Sequence, residues 1–122
     1  MASFVEIGFS IDRSSFPAGS ICTINYHYFL QCDAYEIDHS MGFSLWCEVW
    51  GNERLGKKML AGALDNHTLV AATNLQQTRS FVIQCELLDD RLGEDNIYLL
   101  IKAHASNGVM VQARSPLIKE HF

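Results

Sequence analysis

The chain is short of most things that announce a function. Two of its 122 residues are proline, nine are Lys or Arg, and no two cysteines stand as C-x-x-C. No apolar run approaches the roughly 18 residues that a membrane-spanning helix needs. The densest basic stretch is Arg54 with Lys57 and Lys58, against a formal charge of −5. Neither a phosphate backbone nor an anionic membrane surface is an expected partner, because both require clustered cations. No H-E-x-x-H or H-x-x-x-H pair occurs among the five histidines, and no G-x-S-x-G elbow occurs. Helix-borne zinc and an elbow-type hydrolase are therefore not expected, and no cofactor is implied.

Apolar residues make up 48% and charged ones 19% of the sequence, the balance of a globular chain rather than a disordered one. Its length suits a single domain over residues 1–122. The start, Met1-Ala2-Ser3-Phe4-Val5-Glu6, has no basic stretch followed by an apolar one, so no secretory signal is read. The four cysteines, at 22, 32, 47 and 85, lie inside apolar runs and are expected to be buried free thiols. Both features point to a reducing, cytoplasmic compartment, with a processed secreted form as the alternative.

Period-2 alternation dominates the chain. Val5, Ile7, Phe9 and Ile11 form one apolar face. Cys22, Ile24, Tyr26, Tyr28 and Leu30 form a second, opposite Thr23, Asn25 and His27. Phe43, Leu45, Cys47 and Val49 alternate with Ser44, Trp46, Glu48 and Trp50, and Gly51-Asn52 reads as a turn. Lys57 to Ala63, bracketed by Gly56 and Gly62, reads as a short strand rather than the alternative helix, and Thr68 to Thr73 as a weak strand after a turn at Asp65-Asn66. Arg79 to Leu88 is a strong strand, and Ser106-Asn107-Gly108 between two β-prone runs signals a hairpin. Asp33 to Gly42 and Asp89 to Asn96 read as polar loops, and Pro116 should end the last pairing. Seven or eight short strands and no long helix predict an all-β protein, an antiparallel two-sheet sandwich.

One stretch narrows the class. Phe81 to Tyr98 is an alternating strand, an acidic loop and then Asp95-x-x-Tyr98, which resembles the E–F corner of immunoglobulin-like or fibronectin-III-like domains. Trp46, with Cys22 or Cys32 before it, extends the likeness. The resemblance implies that Tyr98 is a corner tyrosine, buried at the end of the sandwich and bonded back to the loop, with Asp95 beside it. Leu100 stands where an antibody-type domain has its second bridging cysteine, so the resemblance carries no inter-sheet disulfide.

Each candidate site has a plainer reading beside it. Trp46, Glu48 and Trp50 share a strand face and form an amphipathic strip. Such a strip anchors a protein partner or stacks a sugar ring, unless a loop covers it. Asp89, Asp90, Glu94 and Asp95 supply enough oxygens for calcium but lack a calcium-loop spacing, and read as a solvated corner. His27 and His104 could meet across two strands, though ordinary hydrogen-bonded imidazoles are the simpler assignment. Asn66-His67-Thr68 is a glycosylation sequon, meaningful only in a secreted chain. The function these features favour is that of a non-enzymatic interaction domain for a protein partner or a homodimer. The alternative is a carbohydrate- or small-ligand-binding module using the Trp46/Trp50 face.

Overall fold

Alternating side chains fold this chain into strands because one face of each can be buried while the other stays wet. The computed structural model describes residues 1–15, 18–53, 56–88 and 95–120. Its strands are β1 (Ser3–Ser15), β2 (Ala18–Gln31), β3 (Gly42–Glu53), β4 (Gly56–Val70), β5 (Leu75–Gln84), β6 (Asp95–Ala105), β7 (Met110–Arg114) and β8 (Ile118–Glu120). A short helix, α1 (Ala34–Asp38), follows β2, and a 3-10 turn (Cys85–Leu88) follows β5.

The strands make two antiparallel sheets, as the alternation predicts. One has the order β1-β2-β5, and the other the order β4-β3-β6-β7 with β8 also paired to β6. Residues from both close the core: Ile24, Tyr26, Tyr28 and Leu30 from β2 meet Leu45, Cys47 and Val49 from β3 and Leu99 and Ile101 from β6. β1 approaches β7 on one side of the sandwich, and β4 approaches β5 on the other. The Asn107-Gly108 hairpin forms as expected, with Gly108 at φ +91° and the Ala105 N–H donating to the Val109 carbonyl at 2.8 Å.

Several local expectations are corrected. The segment after Cys32 is not all loop: Asp33 accepts from the Glu36 N–H at 2.8 Å, while Glu36 accepts from the Asp33 N–H at 2.8 Å. That reciprocal capping box nucleates α1. Gly51-Asn52 is not a turn, since β3 continues to Glu53. Asp65-Asn66 does not break the chain either. β4 runs through it by register shifts against β3, with Ala63 and Asp65 taking positive φ. A bulge between Phe4 and Glu6 takes Val5 out of the apolar face, leaving it 55% exposed while Phe4 packs against the core. The strand expected over Arg79–Leu88 starts earlier, at Leu75, and gives way to the 3-10 turn at Cys85.

Pro116 interrupts the edge pairing without ending it. Ser115 is buried; its hydroxyl accepts the Leu99 N–H at 2.9 Å and donates to the Pro116 carbonyl at 3.0 Å. β8 then resumes pairing with β6 at Ile118.

The free-thiol expectation is wrong for two of the four cysteines. Cys22 and Cys85 form a disulfide, and Cys32 and Cys47 remain free. Cys22 pairs in register with Ile83, which brings Cys85, two residues further on, to the same face. Cysteines separated by 63 positions become neighbours only through the β2–β5 pairing.

Candidate functional site

The outer face of the five-stranded sheet carries the strip that the sequence singled out. Core-facing Cys47 and Val49 turn Trp46, Glu48 and Trp50 outward, and all three are half-buried. The Trp50 indole N–H donates to Glu48 Oε1 at 2.9 Å, and Lys102 Nζ lies 3.2 Å from Glu48 Oε2. Trp46 pairs in register with Lys102, and Trp50 with Tyr98 on one side and Met59 on the other. Met59 is exposed and crosses Gly62: a Cβ added there would sit 3.1 Å from its sulfur.

Tyr98 joins this face. Because Ile97, Leu99 and Ile101 point into the core, Tyr98 and Leu100 point outward. The residue is only 5% exposed, its ring stacked beside Trp50 at 6.4 Å with the Arg114 guanidinium 4.8 Å from the ring centre. The burial expected of Tyr98 is therefore present, but on the sheet's outer face rather than at the end of the sandwich. The loop to which its hydroxyl should bond, residues 89–94, lies outside the described residues, as does the side chain of Asp95. The calcium question, which turns on the same acidic loop, also falls there.

A second cluster is not apparent in the sequence. Tyr26 and Tyr28 point from β2 into the core, where each hydroxyl needs a polar partner. The edge strand β4 supplies both. Asp65 accepts from the Tyr26 hydroxyl at 2.6 Å and from Arg79 of β5 at 2.7 and 3.1 Å. His67 Nδ1 lies 2.7 Å from the Asp65 carbonyl, and its Nε2 lies 2.7 Å from the Tyr28 hydroxyl. A carbonyl can only accept, so Nδ1 carries the proton and Nε2 accepts from Tyr28. The cluster joins the two sheets along their β4–β5 side.

Electrostatics follow from this geometry. Burial works against the Asp65 carboxylate, yet the bonds from Arg79 and Tyr26 outweigh it and hold its pKa below the usual value. The same carboxylate holds Arg79 above its ordinary value. Burial, then the bond to Asp65, pushes the Tyr26 phenol up, and burial lowers His67.

A cysteine, a histidine and an aspartate converge here, but they do not make a nucleophilic site. Cys47 is fully buried and its thiol is pushed up to about 12 by burial, so the reactive thiolate is absent near neutral pH. Among the described residues no trio of His, Cys, Asp and Glu is placed to hold a metal ion.

His27 and His104 do not meet. His27 lies on the outer face of the three-stranded sheet, over Gly8, where an added Cβ would come within 2.4 Å of the imidazole. His104 lies on the outer face of the other sheet, next to Met110. Asn66 is exposed on β4 and donates to the Ala63 carbonyl at 2.8 Å. At one end of the sandwich a cavity of about 260 Å³ is lined by Ala2, Met41, Phe43, Ala105 and Val111, with Glu36 at its rim. Both Glu36 oxygens already accept backbone N–H groups, from Asp33 and from Ala2.

No described helix is long and apolar enough to cross a membrane. No protein-family model and no curated protein matches this chain.

Proposed function

We propose that this domain is a non-enzymatic interaction module that engages a protein partner through the outer face of its five-stranded sheet. One observation carries the reading: Trp46, Trp50, Tyr98, Met59 and Arg114 gather on a single sheet face. Trp, Tyr, Met and Arg are the residue types over-represented where proteins meet, and rigid aromatics anchor such contacts at low entropy cost. A sugar platform is the weaker alternative. Glu48, the carboxylate that would accept sugar hydroxyls, already accepts from Trp50 and pairs with Lys102.

We also propose an immunoglobulin-like topology. The order β1-β2-β5 against β4-β3-β6-β7 corresponds to the A-B-E and C′-C-F-G arrangement of such sandwiches. The Cys22–Cys85 bridge departs from that pattern, because it ties β2 to the end of its own neighbour rather than to the other sheet. It also favours an oxidising compartment over the cytoplasm.

The test is quantitative affinity capture from the native source with three baits: wild type, Trp46→Asp, and Phe29→Asp on the opposite sheet. Partners retained by the Phe29 variant and lost from the Trp46 variant support the reading. An identical set on all three baits removes it.

A further inference from the structure

The two outer faces of the sandwich differ in charge. On the three-stranded sheet, register places Glu6 and Asp12 outward, among Phe29, Val82, His27 and Ser, Thr, Asn and Gln side chains. On the five-stranded sheet, register places Lys57, Lys102, Arg114 and Lys119 outward. Among the described residues one carboxylate, Glu48, shares that face, and it pairs with Lys102. A chain of net charge −5 thus gathers four of its nine basic residues around its two tryptophans.

Resting on the reading that this face is the docking surface, we infer that its occupant is an acidic protein segment with interspersed apolar side chains. The apolar side chains would lie along Trp46, Trp50 and Met59, and the carboxylates would meet Arg114, Lys119 and Lys57. Arg114 is well suited to receive a carboxylate. Its guanidinium is held over the Tyr98 ring, so less freedom is lost when the carboxylate binds.

Two other occupants fit less well. A nucleic acid needs open aromatic faces for its bases, but Tyr98 is buried and covered by Arg114. A long polyanion would also meet the acidic remainder of the molecule. A short segment stays within about 8 Å of this face, the distance over which charge is felt at physiological salt. A second copy docked symmetrically through the same face would bring cation against cation.

The probe is a random glutamate–tyrosine copolymer, titrated while the fluorescence of the two tryptophans is read. The expected result is a saturable change whose half-saturation weakens roughly tenfold between 50 and 300 mM salt. Arg114→Glu should weaken it by at least about tenfold. Lys119→Glu, at an exposed edge position, should weaken it without touching the Tyr98 stack. Equal or tighter response to oligothymidylate would overturn the inference in favour of a nucleic acid. Concentration-dependent mass, abolished by Arg114→Glu, would overturn it in favour of a second copy. If the copolymer leaves the fluorescence unchanged while Trp46→Asp still loses its partners in the capture experiment, the docking face stands and the acidic class falls.

Discussion

The protein uses one chemical arrangement twice, once inside and once outside. Inside, Asp65 joins Arg79 and an aromatic hydroxyl, Tyr26, across the seam between the sheets. Outside, Glu48 joins Lys102 and an indole N–H, that of Trp50, along one sheet. Geometry at the two is alike, and so is access to water: the Asp65 and Glu48 side chains are 14% and 12% exposed, and those of Arg79 and Lys102 30% and 25%. What differs is what each carboxylate ties together. Asp65 takes two bonds from Arg79 and one from a core tyrosine of the other sheet, whereas Glu48 bonds only neighbours on its own sheet. The inner cluster should therefore hold the fold together and the outer one should be free to serve recognition.

The sharpest way to break this contrast is to loosen the inner region itself. The Cys22–Cys85 bridge closes a loop of 63 residues, and chain-entropy arguments give it about 4 kcal/mol. Replacing both cysteines with Ala should lower stability by that order in urea unfolding. Thiol counting on unfolded, unreduced protein should find two groups rather than four, Cys32 and Cys47, and Cys47 should stay silent until the protein unfolds. Four reactive thiols in unfolded, unreduced protein would show that the bridge does not form.

Next in size is Asp65→Asn. Asn tolerates the positive φ at this position, so the change isolates the charge from backbone strain. It removes the anion that accepts two bonds from Arg79, whose side chain is 30% exposed and keeps some access to water. The expected loss is roughly 1–2 kcal/mol, since the contact is bidentate and charge-assisted but partly solvated. A loss under about 0.5 kcal/mol, the range of ordinary surface changes, would erase the distinction between the two clusters.

The pH dependence of stability isolates a third member of the inner cluster. His67 is held below its ordinary value of 6.5, burial being the largest cause. The unfolded chain therefore takes up a proton before the folded one does as pH falls. Stability from this group is complete above pH 6.5 and is lost as pH drops through the lower folded value. Asp65, also depressed, adds a separate loss below its ordinary value of 3.8. His67→Gln should flatten the first limb and leave the second, as read from unfolding midpoints measured from about pH 2 to about pH 8.

The sequence made the outer cluster easier to find than the inner one, for a physical reason. Trp46, Glu48 and Trp50 stand at i, i+2 and i+4, so strand alternation alone puts them on one face. Asp65, Arg79 and Tyr26 are far apart in the chain and meet only after β4 has passed its bulges and packed along β5. Alternation placed Tyr26 and Tyr28 on an apolar face, and the two hydroxyls there were the available sign that buried polar partners had to exist. Local irregularity hid the rest. The register shifts in β4 made one long strand resemble two short ones with a turn between them, and the bulge at Val5 reversed one apolar position. The capping box at Asp33 and Glu36 was legible as D-x-x-E, but a five-residue helix has too little apolar period to be noticed.

The smallest expected effect belongs to Glu48→Gln, and it is the one that defines the outer cluster. Glutamine keeps an oxygen that can accept the Trp50 indole N–H, so the aromatic packing against Tyr98 is retained. What it removes is the charge facing Lys102 through a single contact at 3.2 Å, where Asp65 makes two to Arg79. Single ion pairs with a partner open to water are worth roughly 0–1 kcal/mol, and the expected loss here is about 0.5 kcal/mol. The same substitution removes the one described carboxylate from a face that already holds four cations, so binding of the glutamate–tyrosine copolymer should tighten as stability hardly moves. Urea unfolding and the fluorescence titration, run on one preparation, give both numbers. A stability loss as large as that of Asp65→Asn would mean that the outer cluster also holds the fold together, and the division of labour between the two would be gone.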